Sequence, residues 1–394
     1  MSNKKMTNVS KQQVTFLINA LGKGGAERVL LTLAKWFIDE EFDVTIICLT
    51  ENNKYQLPVN INMIYLSKMN NSASSLVNML YIPYHAWKLR QYTAKNNVHQ
   101  VQSHLFRSNY VNTLSKVFGA KHEIQIVNHS VSSRYLASGI SGKLNVFLMR
   151  HLYPKADKLI CISNKMLDDY YKMFSAPVNS TVIYNPYEVD TVLSASIEEV
   201  SEFEFRPEKK YLVTVGRLIP LKRFNDIILV LAKLPENIEL ILLGDGELMD
   251  ALKSLASELS LKNRVHFLGQ VSNPFKFVKQ CDLFISTSET EGFPNVLIEA
   301  MLCKTAVIST DCTSGPREIL APKTDIKNLL HGKLEQASHG ILYPVGDTKR
   351  LEEAVNLLLQ DNSLRLDYQE KAFERAHEFS VNKIAKVYKE TLLK

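Results

Sequence analysis

The sequence predicts two α/β domains in tandem, each a doubly wound parallel sheet, and three observations carry that prediction. At 394 residues the chain is too long for one hydrophobic core. Short continuous apolar runs such as Val14-Thr15-Phe16-Leu17-Ile18 alternate with amphipathic stretches, the pattern of parallel strands buried on both faces and covered by helices. The alternation breaks once, after Tyr184-Asn185-Pro186, where polar and acidic residues run to Pro207 before a second series begins. The expected layout is a disordered tail over 1–13, a first domain over 14–184, a second over 185–378 and a closing helix over 379–394. Sheets of this kind bind ligands beyond the carboxyl ends of their strands, so two such edges are expected to share a central cleft.

Taken in order, the first strand (14–19) runs into Leu21-Gly22-Lys23-Gly24-Gly25-Ala26-Glu27-Arg28, then a helix over 29–37 and a strand over 43–49. Three closely spaced glycines let a backbone approach a phosphate or a sugar, and a plain tight turn explains them equally well. Further strands are expected over 99–104, 123–128 and 158–162. Between them, 76–92 sets Leu76, Leu80, Tyr81, Tyr84 and Trp87 among Lys88 and Arg90, and 144–152 is a second apolar helix flanked by Lys143 and Arg150 on one face. Both suit a membrane surface with aromatic and basic anchors, and both suit ordinary core packing.

In the second half, strands are expected over 211–216, 239–243, 265–268, 283–286 and 306–309, with helices over 225–234, 247–260, 349–360, 361–379 and 381–393. Four strand-end loops carry the polar groups. Gly216-Arg217-Leu218-Ile219-Pro220-Leu221-Lys222 sets two cations five residues apart, a fork and a point charge for phosphate. Gly244-Asp245-Gly246-Glu247 is a tight turn, and Gly269-Gln270-Val271 follows another strand. The fourth runs from Ser288 through Glu291, Gly292, Phe293, Pro294, Asn295 and Val296 to Glu299. There Gly292 allows positive φ and a close backbone approach, and Pro294 suits the first helical position. The amides that follow form a seat for phosphate between two carboxylates. Cations, amides and carboxylates together suit a sugar linked to a nucleoside diphosphate.

Composition narrows the alternatives. The five cysteines (48, 161, 281, 303 and 312) lack CxxC spacing, which argues for reduced thiols and against a disulfide or zinc framework. No apolar run is long enough to span a membrane. Residues 1–184 hold 21 Lys+Arg against 10 Asp+Glu, net +11, while the remainder is net −5. A basic first half fits an anionic leaflet, a pyrophosphate lipid or nucleic acid, and also inert solvated charge.

Glu291 and Glu299, with seven residues between them in Glu-Gly-Phe-Pro-Asn-Val-Leu-Ile-Glu, resemble the EX7E signature of family-four retaining glycosyltransferases. The resemblance extends over residues 14–393: Gly-Gly-Ala-Glu-Arg at 24–28, Ile-Ser-Asn at 162–164, Tyr-Asn-Pro at 184–186, Val-Gly-Arg-Leu with Lys222, Leu-Leu-Gly-Asp-Gly-Glu-Leu at 242–248, Phe-Leu-Gly at 267–269 and Asp-Cys-Thr-Ser-Gly-Pro-Arg-Glu-Ile-Leu at 311–320. It implies a GT-B fold, with the acceptor on the first domain, the nucleotide sugar on the second, and the last helix crossing back to the first.

Carried over by position, the resemblance gives Arg217 and Lys222 the leaving diphosphate, Glu291 the transferred sugar and Glu299 the ribose. Gly244, Gly292, Phe293, Asn295 and Val296 would line the donor, Val271 would edge the base, and Gly25 would close over phosphates or acceptor. His129 resembles the family histidine near the reacting centre, and a structural histidine is the plain alternative. Gly24, His129, Lys143 and Arg150 are the acceptor-side candidates. No DxD motif is present, no metal is expected, and no cofactor beyond the donor, which is expected to be UDP-linked.

The pairing of the 24–28 and 311–320 motifs looks most like bacterial enzymes that extend lipid-linked oligosaccharides, polysaccharides or lipopolysaccharide. That implies a UDP-sugar of the Gal, GalNAc or GlcNAc type and an acceptor at the anionic inner leaflet of the cytoplasmic membrane, with the protein cytoplasmic and peripheral and no nucleic-acid partner. The alternatives are a GDP-mannose-type donor, a UDP-sugar epimerase on the same fold, and a non-catalytic glycan-binding subunit.

Overall fold

The structure, a computed structural model, describes residues 11–22, 24–52, 57, 60–68, 75–137, 139–174 and 178–393. Most of the expected tail, Lys23 of the glycine-rich turn and the side chain of Leu76 lie outside the described residues. Gln13, assigned to the tail, already opens the first strand.

The chain divides into two compact units. The first takes the residues up to Ile162, then Asp169–Pro186 and Val381–Lys394, and the second takes Ser163–Asp168 and Tyr187–Ser380. The division falls two residues beyond the expected 184/185 boundary. The closing helix begins at Val381 because His377–Phe379 forms a separate 3-10 turn. The short piece 163–168 joins the second unit through a remote cap. The Glu318 carboxylate accepts from the backbone amides of Asn164 (2.8 Å) and Lys165 (2.9 Å), and Ser163 Oγ lies 2.5 Å from Ser314 Oγ. Those amides open the helix Asn164–Met173 and have no partner inside it. A carboxylate is also the charge that a helix N-terminus favours.

The first unit is a seven-stranded, all-parallel sheet: β1 (Gln13–Ile18), β2 (Asp43–Thr50), β3 (Asn62–Ser67), β4 (Gln100–His104), β5 (Glu123–Asn128), β6 (Lys158–Cys161) and β7 (Ser180–Val182), in the order β3-β2-β1-β4-β5-β6-β7. Five of the six residues of β1 are buried, as its unbroken apolar run requires. The helix Gly25–Asp39 buries Val29, Leu30, Leu33, Ala34 and Phe37, a stripe at helical spacing.

The helix Ile82–Lys95 resolves one alternative left open by its sequence. It buries Ile82, His85, Ala86 and Leu89, and leaves Tyr84 and Trp87 more than two-fifths exposed beside the even more exposed Leu80. Its aromatic residues are an outer face. Phe147 and Ile140 on the helix Gly139–Leu152 are also exposed.

The second unit repeats the plan with β8 (Lys210–Val215), β9 (Ile238–Leu243), β10 (Val265–Gly269), β11 (Leu283–Ser286), β12 (Ala306–Thr310), β13 (Glu335–Ala337) and β14 (Gly340–Tyr343), in the order β10-β9-β8-β11-β12-β14-β13. Leu212, Leu240, Leu242, Leu283, Ile285 and Ile308 from the strands pack with Ile227, Leu252 and Val355 from the helices in one core. The antiparallel β13–β14 edge is absent from the sequence-based plan, because strands of three and four residues give too short a periodicity to read. Among the described residues no helix is long and apolar enough to cross a membrane, and all five cysteines are free and buried.

Close backbone approach sets two glycines in this unit. Gly244 follows β9 at φ 141°, and a Cβ there would lie 1.9 Å from the Gly216 carbonyl oxygen. Gly315 has φ 88°, and its Cβ would lie 2.4 Å from Pro294 Cδ. Both positions demand glycine on steric and conformational grounds. Gly244→Ala should therefore lower the unfolding free energy by roughly 1–3 kcal/mol, the scale of overpacking. Urea unfolding checks this, and an unchanged midpoint would contradict it.

Candidate active site

In the second unit the strand order reverses between β8 and β11, which lie side by side although two strands separate them in sequence. Such a switch point opens a crevice at the carboxyl edge, because the connections on either side leave in opposite directions. The loops that follow β8 and β11 carry the two cations and Glu291, and the helix after the second loop carries Glu299.

These loops are tied by both main chain and side chain. The Thr287 hydroxyl donates to the Lys222 carbonyl (2.5 Å), and the Glu289 amide to the Leu221 carbonyl (2.9 Å). Lys222 ends the 3-10 turn Pro220–Lys222, and its Nζ lies 2.5 Å from Glu291 Oε1. The same carboxylate oxygen accepts from Ser288 Oγ at 2.6 Å. Both side chains are mostly buried, so the pair is only weakly screened by solvent. Arg217 is exposed, and its side chain has no hydrogen-bond or ion-pair partner among the described residues. The site thus has one cation already balanced by a carboxylate and one that is not.

Neighbouring loops join in series. Gly216 N donates to Leu243 O (2.9 Å) and Gly244 N to Gly269 O (2.7 Å), so the loops after β8, β9 and β10 form one rim. Val271, two residues past β10, is half-buried on it. On the other side Thr310 Oγ1 donates to Ser288 O (2.6 Å), Ser314 Oγ to Gly292 O (2.7 Å), and Thr290 bridges Thr313.

At two positions the backbone differs from what the residue type suggested. Gly292 does not have positive φ; Ser314 (70°) and Gly315 (88°) do, because the tight approach is made by the facing loop. Pro294 is the residue before the helix, with extended backbone (φ −74°, ψ 97°), and the helix Asn295–Leu302 starts one residue later. Pro294 still contributes, since its carbonyl accepts from Leu297 N at 3.0 Å. The first-turn amides leave the helix N-terminus at Asn295 and Val296, as helix geometry dictates.

Asn295 Oδ1 accepts from Tyr187 Oη at 2.7 Å, and Phe293 packs buried against Phe379 with ring centroids 5.4 Å apart. Glu299, one turn into the helix, is buried. Arg217, Lys222, Gly244, Val271, Glu291, Gly292, Phe293, Asn295, Val296 and Glu299 therefore lie on one linked set of strand-end loops and the helix that follows.

In the first unit the switch point falls between β1 and β4. Gly24 precedes the helix after β1, with extended backbone (φ −106°, ψ 168°), and Gly25 is its first residue. His129 directly follows β5 and is half-buried. Its Nε2 lies 2.9 Å from Nδ1 of His104, the fully buried last residue of β4. Burial pushes His129 down to about 4, and burial together with the neighbouring His129 holds His104 well below the usual histidine range. Both rings are neutral at pH 7. Lys143 and Arg150 are exposed on the helix Gly139–Leu152, and among the described residues no hydrogen bond or ion pair joins either of them to His129 or the glycine turn.

Sequence reading passed over Thr287, Ser288, Ser314 and Tyr187, which hold the site in shape, and His104, the partner of His129. Ser and Thr in a loop carry no signal by themselves. His104 had one, a polar residue closing a buried strand beside the switch point.

Residues 23–191 match the sequence model of Glycosyltransferase Family 4, and residues 196–375 that of Glycosyl transferases group 1. A Campylobacter jejuni protein, the N-acetylgalactosamine-N,N'-diacetylbacillosaminyl-diphospho-undecaprenol 4-alpha-N-acetylgalactosaminyltransferase, is 30% identical over 378 residues, covering 95% of this chain and 98% of that one. A second Campylobacter jejuni enzyme, a GalNAc-alpha-(1->4)-GalNAc-alpha-(1->3)-diNAcBac-PP-undecaprenol alpha-1,4-N-acetyl-D-galactosaminyltransferase, is 26% identical over 94% of this chain and 96% of its own. Among solved structures, Anabaena HepE in complex with UDP superposes with a TM-score of 0.74 at 20% identity, over 97% of this chain and 99% of that one. That likeness, with two parallel Rossmann-like sheets, shows the GT-B fold. With both family patterns matched in order and a relative aligned nearly end to end, the chain belongs to glycosyltransferase family four.

Proposed function

We propose that this glycosyltransferase moves a hexose or N-acetylhexosamine, of the Gal, GalNAc or GlcNAc type, from a UDP-sugar to a lipid-linked or lipopolysaccharide glycan, with retention and without a metal. The observation that carries the donor reading is the arrangement at the β8/β11 switch point, where Lys222 is held on Glu291 while Arg217 in the same loop has no side-chain partner among the described residues. A diphosphate entering there meets a free guanidinium fork and an ammonium whose present partner is a carboxylate. Glu291, drawn off Lys222 by the incoming phosphate, becomes an acceptor for sugar hydroxyls, and the buried Glu299 takes the ribose. The amides at Asn295 and Val296 add donors without added charge.

In this reading the bond between the anomeric carbon and the phosphate oxygen breaks, and its electron pair stays on the nucleoside diphosphate. Arg217 and Lys222 neutralise that charge, so the cations do what a metal does elsewhere. The acceptor hydroxyl attacks from the same face, and its proton passes to the departing phosphate oxygen. The names of the Campylobacter relatives support a polyprenyl-diphosphate glycan as acceptor and GalNAc as the first sugar to try.

The exposed band of Leu80, Tyr81, Tyr84 and Trp87, with Lys88 Nζ 5.6 Å above the Trp87 ring, supports attachment to an anionic leaflet at the inner face of the membrane. Aromatic bodies with cationic edges favour the headgroup region.

Thermal shift against a panel of UDP- and GDP-sugars tests the donor class, because a ligand that binds only the folded chain must raise its melting temperature. A UDP-sugar is expected to give the largest rise, and a GDP-sugar giving it instead would overturn the donor assignment. Arg217→Ala and Lys222→Ala should each lower kcat by about 10²–10³-fold, the scale for removing one group aimed at developing charge. Radiolabelled sugar transfer in excess EDTA checks this: wild type should keep its rate, and variants as fast as wild type would sink the assignment. On liposomes rich in anionic lipid the protein should bind at low salt, release at high salt, and bind more weakly as Trp87→Ser. Equal partition of wild type onto neutral vesicles would contradict the membrane reading.

A further inference from the structure

The His104–His129 contact is one link in a longer buried chain, and the two ends of that chain differ in kind. His129 Nε2 lies 2.9 Å from His104 Nδ1, and His104 Nε2 lies 3.2 Å from Gln102 Oε1. Gln102 Nε2 then donates to Gln125 Oε1 at 3.2 Å, across the β4–β5 register that pairs these two residues. Gln125 Nε2 ends the chain with two acceptors, Glu123 Oε1 and the backbone carbonyl of Thr391 in the closing helix, each at 3.0 Å. Residues 102, 104, 123 and 125 alternate along their strands, so one face of the sheet carries the whole set.

The terminal pair fixes the direction of every bond. A peptide carbonyl can only accept, and so can a carboxylate at neutral pH. Gln125 must turn its NH₂ towards both of them, and each amide proton is then used. Its oxygen faces Gln102, which must turn its own NH₂ to that oxygen and its own oxygen to His104. His104 therefore carries its proton on Nε2, leaving a lone pair on Nδ1. Reversing any one link sets two acceptors 3.0–3.2 Å apart in a buried site, where unpaired polar atoms are costly.

From this we infer that His129 is held as its Nε2–H tautomer by His104, Gln102 and Gln125, and that it presents an unprotonated Nδ1 as a hydrogen-bond acceptor for a substrate hydroxyl. Nδ1 of His129 has no protein partner among the described residues and is not among the sealed, unsatisfied atoms. His104, Gln102 and Gln125 are positioning residues, and the carbonyl of Thr391 makes the closing helix the reference point for a proton on the opposite side of the sheet edge. The catalytic consequence rests on the reading of His129 as a group beside the reacting sugar; the tautomer does not.

The test is ¹⁵N spectroscopy of histidine-labelled full-length protein at pH 7, with the His129 signals assigned by difference from His129→Gln. Wild type should show a protonated Nε2 and an unprotonated Nδ1. In Gln102→Met, which keeps side-chain length and removes the amide, the His129 nitrogens should move towards a mixture of tautomers. Sugar transfer should fall about tenfold, the scale of one lost hydrogen bond, with the donor KM within twofold. A wild-type His129 protonated on Nδ1 overturns the inference, and so does a folded Gln102→Met with the wild-type spectrum. If that variant does not fold, the wild-type spectrum still decides. Expected spectra in a protein that turns over no nucleotide sugar would leave the tautomer standing and sink the proposed function alone.

Discussion

The second unit is organised around the Lys222–Glu291 ion pair. It joins the loops that follow β8 and β11, which leave the sheet in opposite directions, and the Thr287 and Glu289 hydrogen bonds to main-chain carbonyls make the link a backbone property as well. A buried cation without a partner is expensive, so a lysine held mostly out of water needs a balancing charge. Glu291 provides that balance, and Ser288 holds the carboxylate oxygen in place. In the proposed function, this is the contact that a diphosphate would have to exchange. Arg217 at the surface needs no such guard, because water solvates it.

The first unit solves the opposite problem. Its candidate group, His129, carries no charge at neutral pH, since burial has moved its titration down to about 4. What must be set there is the location of a proton. A neutral imidazole has two tautomers of similar energy, and the surrounding hydrogen bonds choose between them. Two glutamines and a second histidine in register on adjacent strands make that choice, and between His104 and the closing helix each polar side-chain atom of this line has a partner. Partial satisfaction would cost more than an apolar core, which is why the line runs without a gap to a backbone carbonyl.

Much of this was legible in the sequence because it rests on local patterns. Unbroken apolar runs gave the central strands, and strand-end logic brought Arg217, Lys222 and Glu291 onto adjoining loops and Glu299 onto the helix that follows. What escaped depends on groups distant in sequence. Residues 163–168 read as part of the first domain, because nothing near them signals that Glu318 will cap their amides. Gly292 read as a glycine able to take positive φ, whereas the positive φ values fall on Ser314 and Gly315 of the facing loop, which is visible only once the two loops face each other. Likewise the aromatic residues of 81–87 fit either a core or a surface until the helix's buried side was known.

The central claim is that the β8 and β11 loops form the donor seat, with charge shared between Arg217 and Lys222. A crystal structure of the full chain with UDP bound tests it most directly. The account predicts diphosphate oxygens within hydrogen-bond reach of both Arg217 and Lys222, ribose hydroxyls on Glu299, and Glu291 released from Lys222 or sharing it. UDP seated away from both cations, with the Lys222–Glu291 pair unchanged, would contradict it.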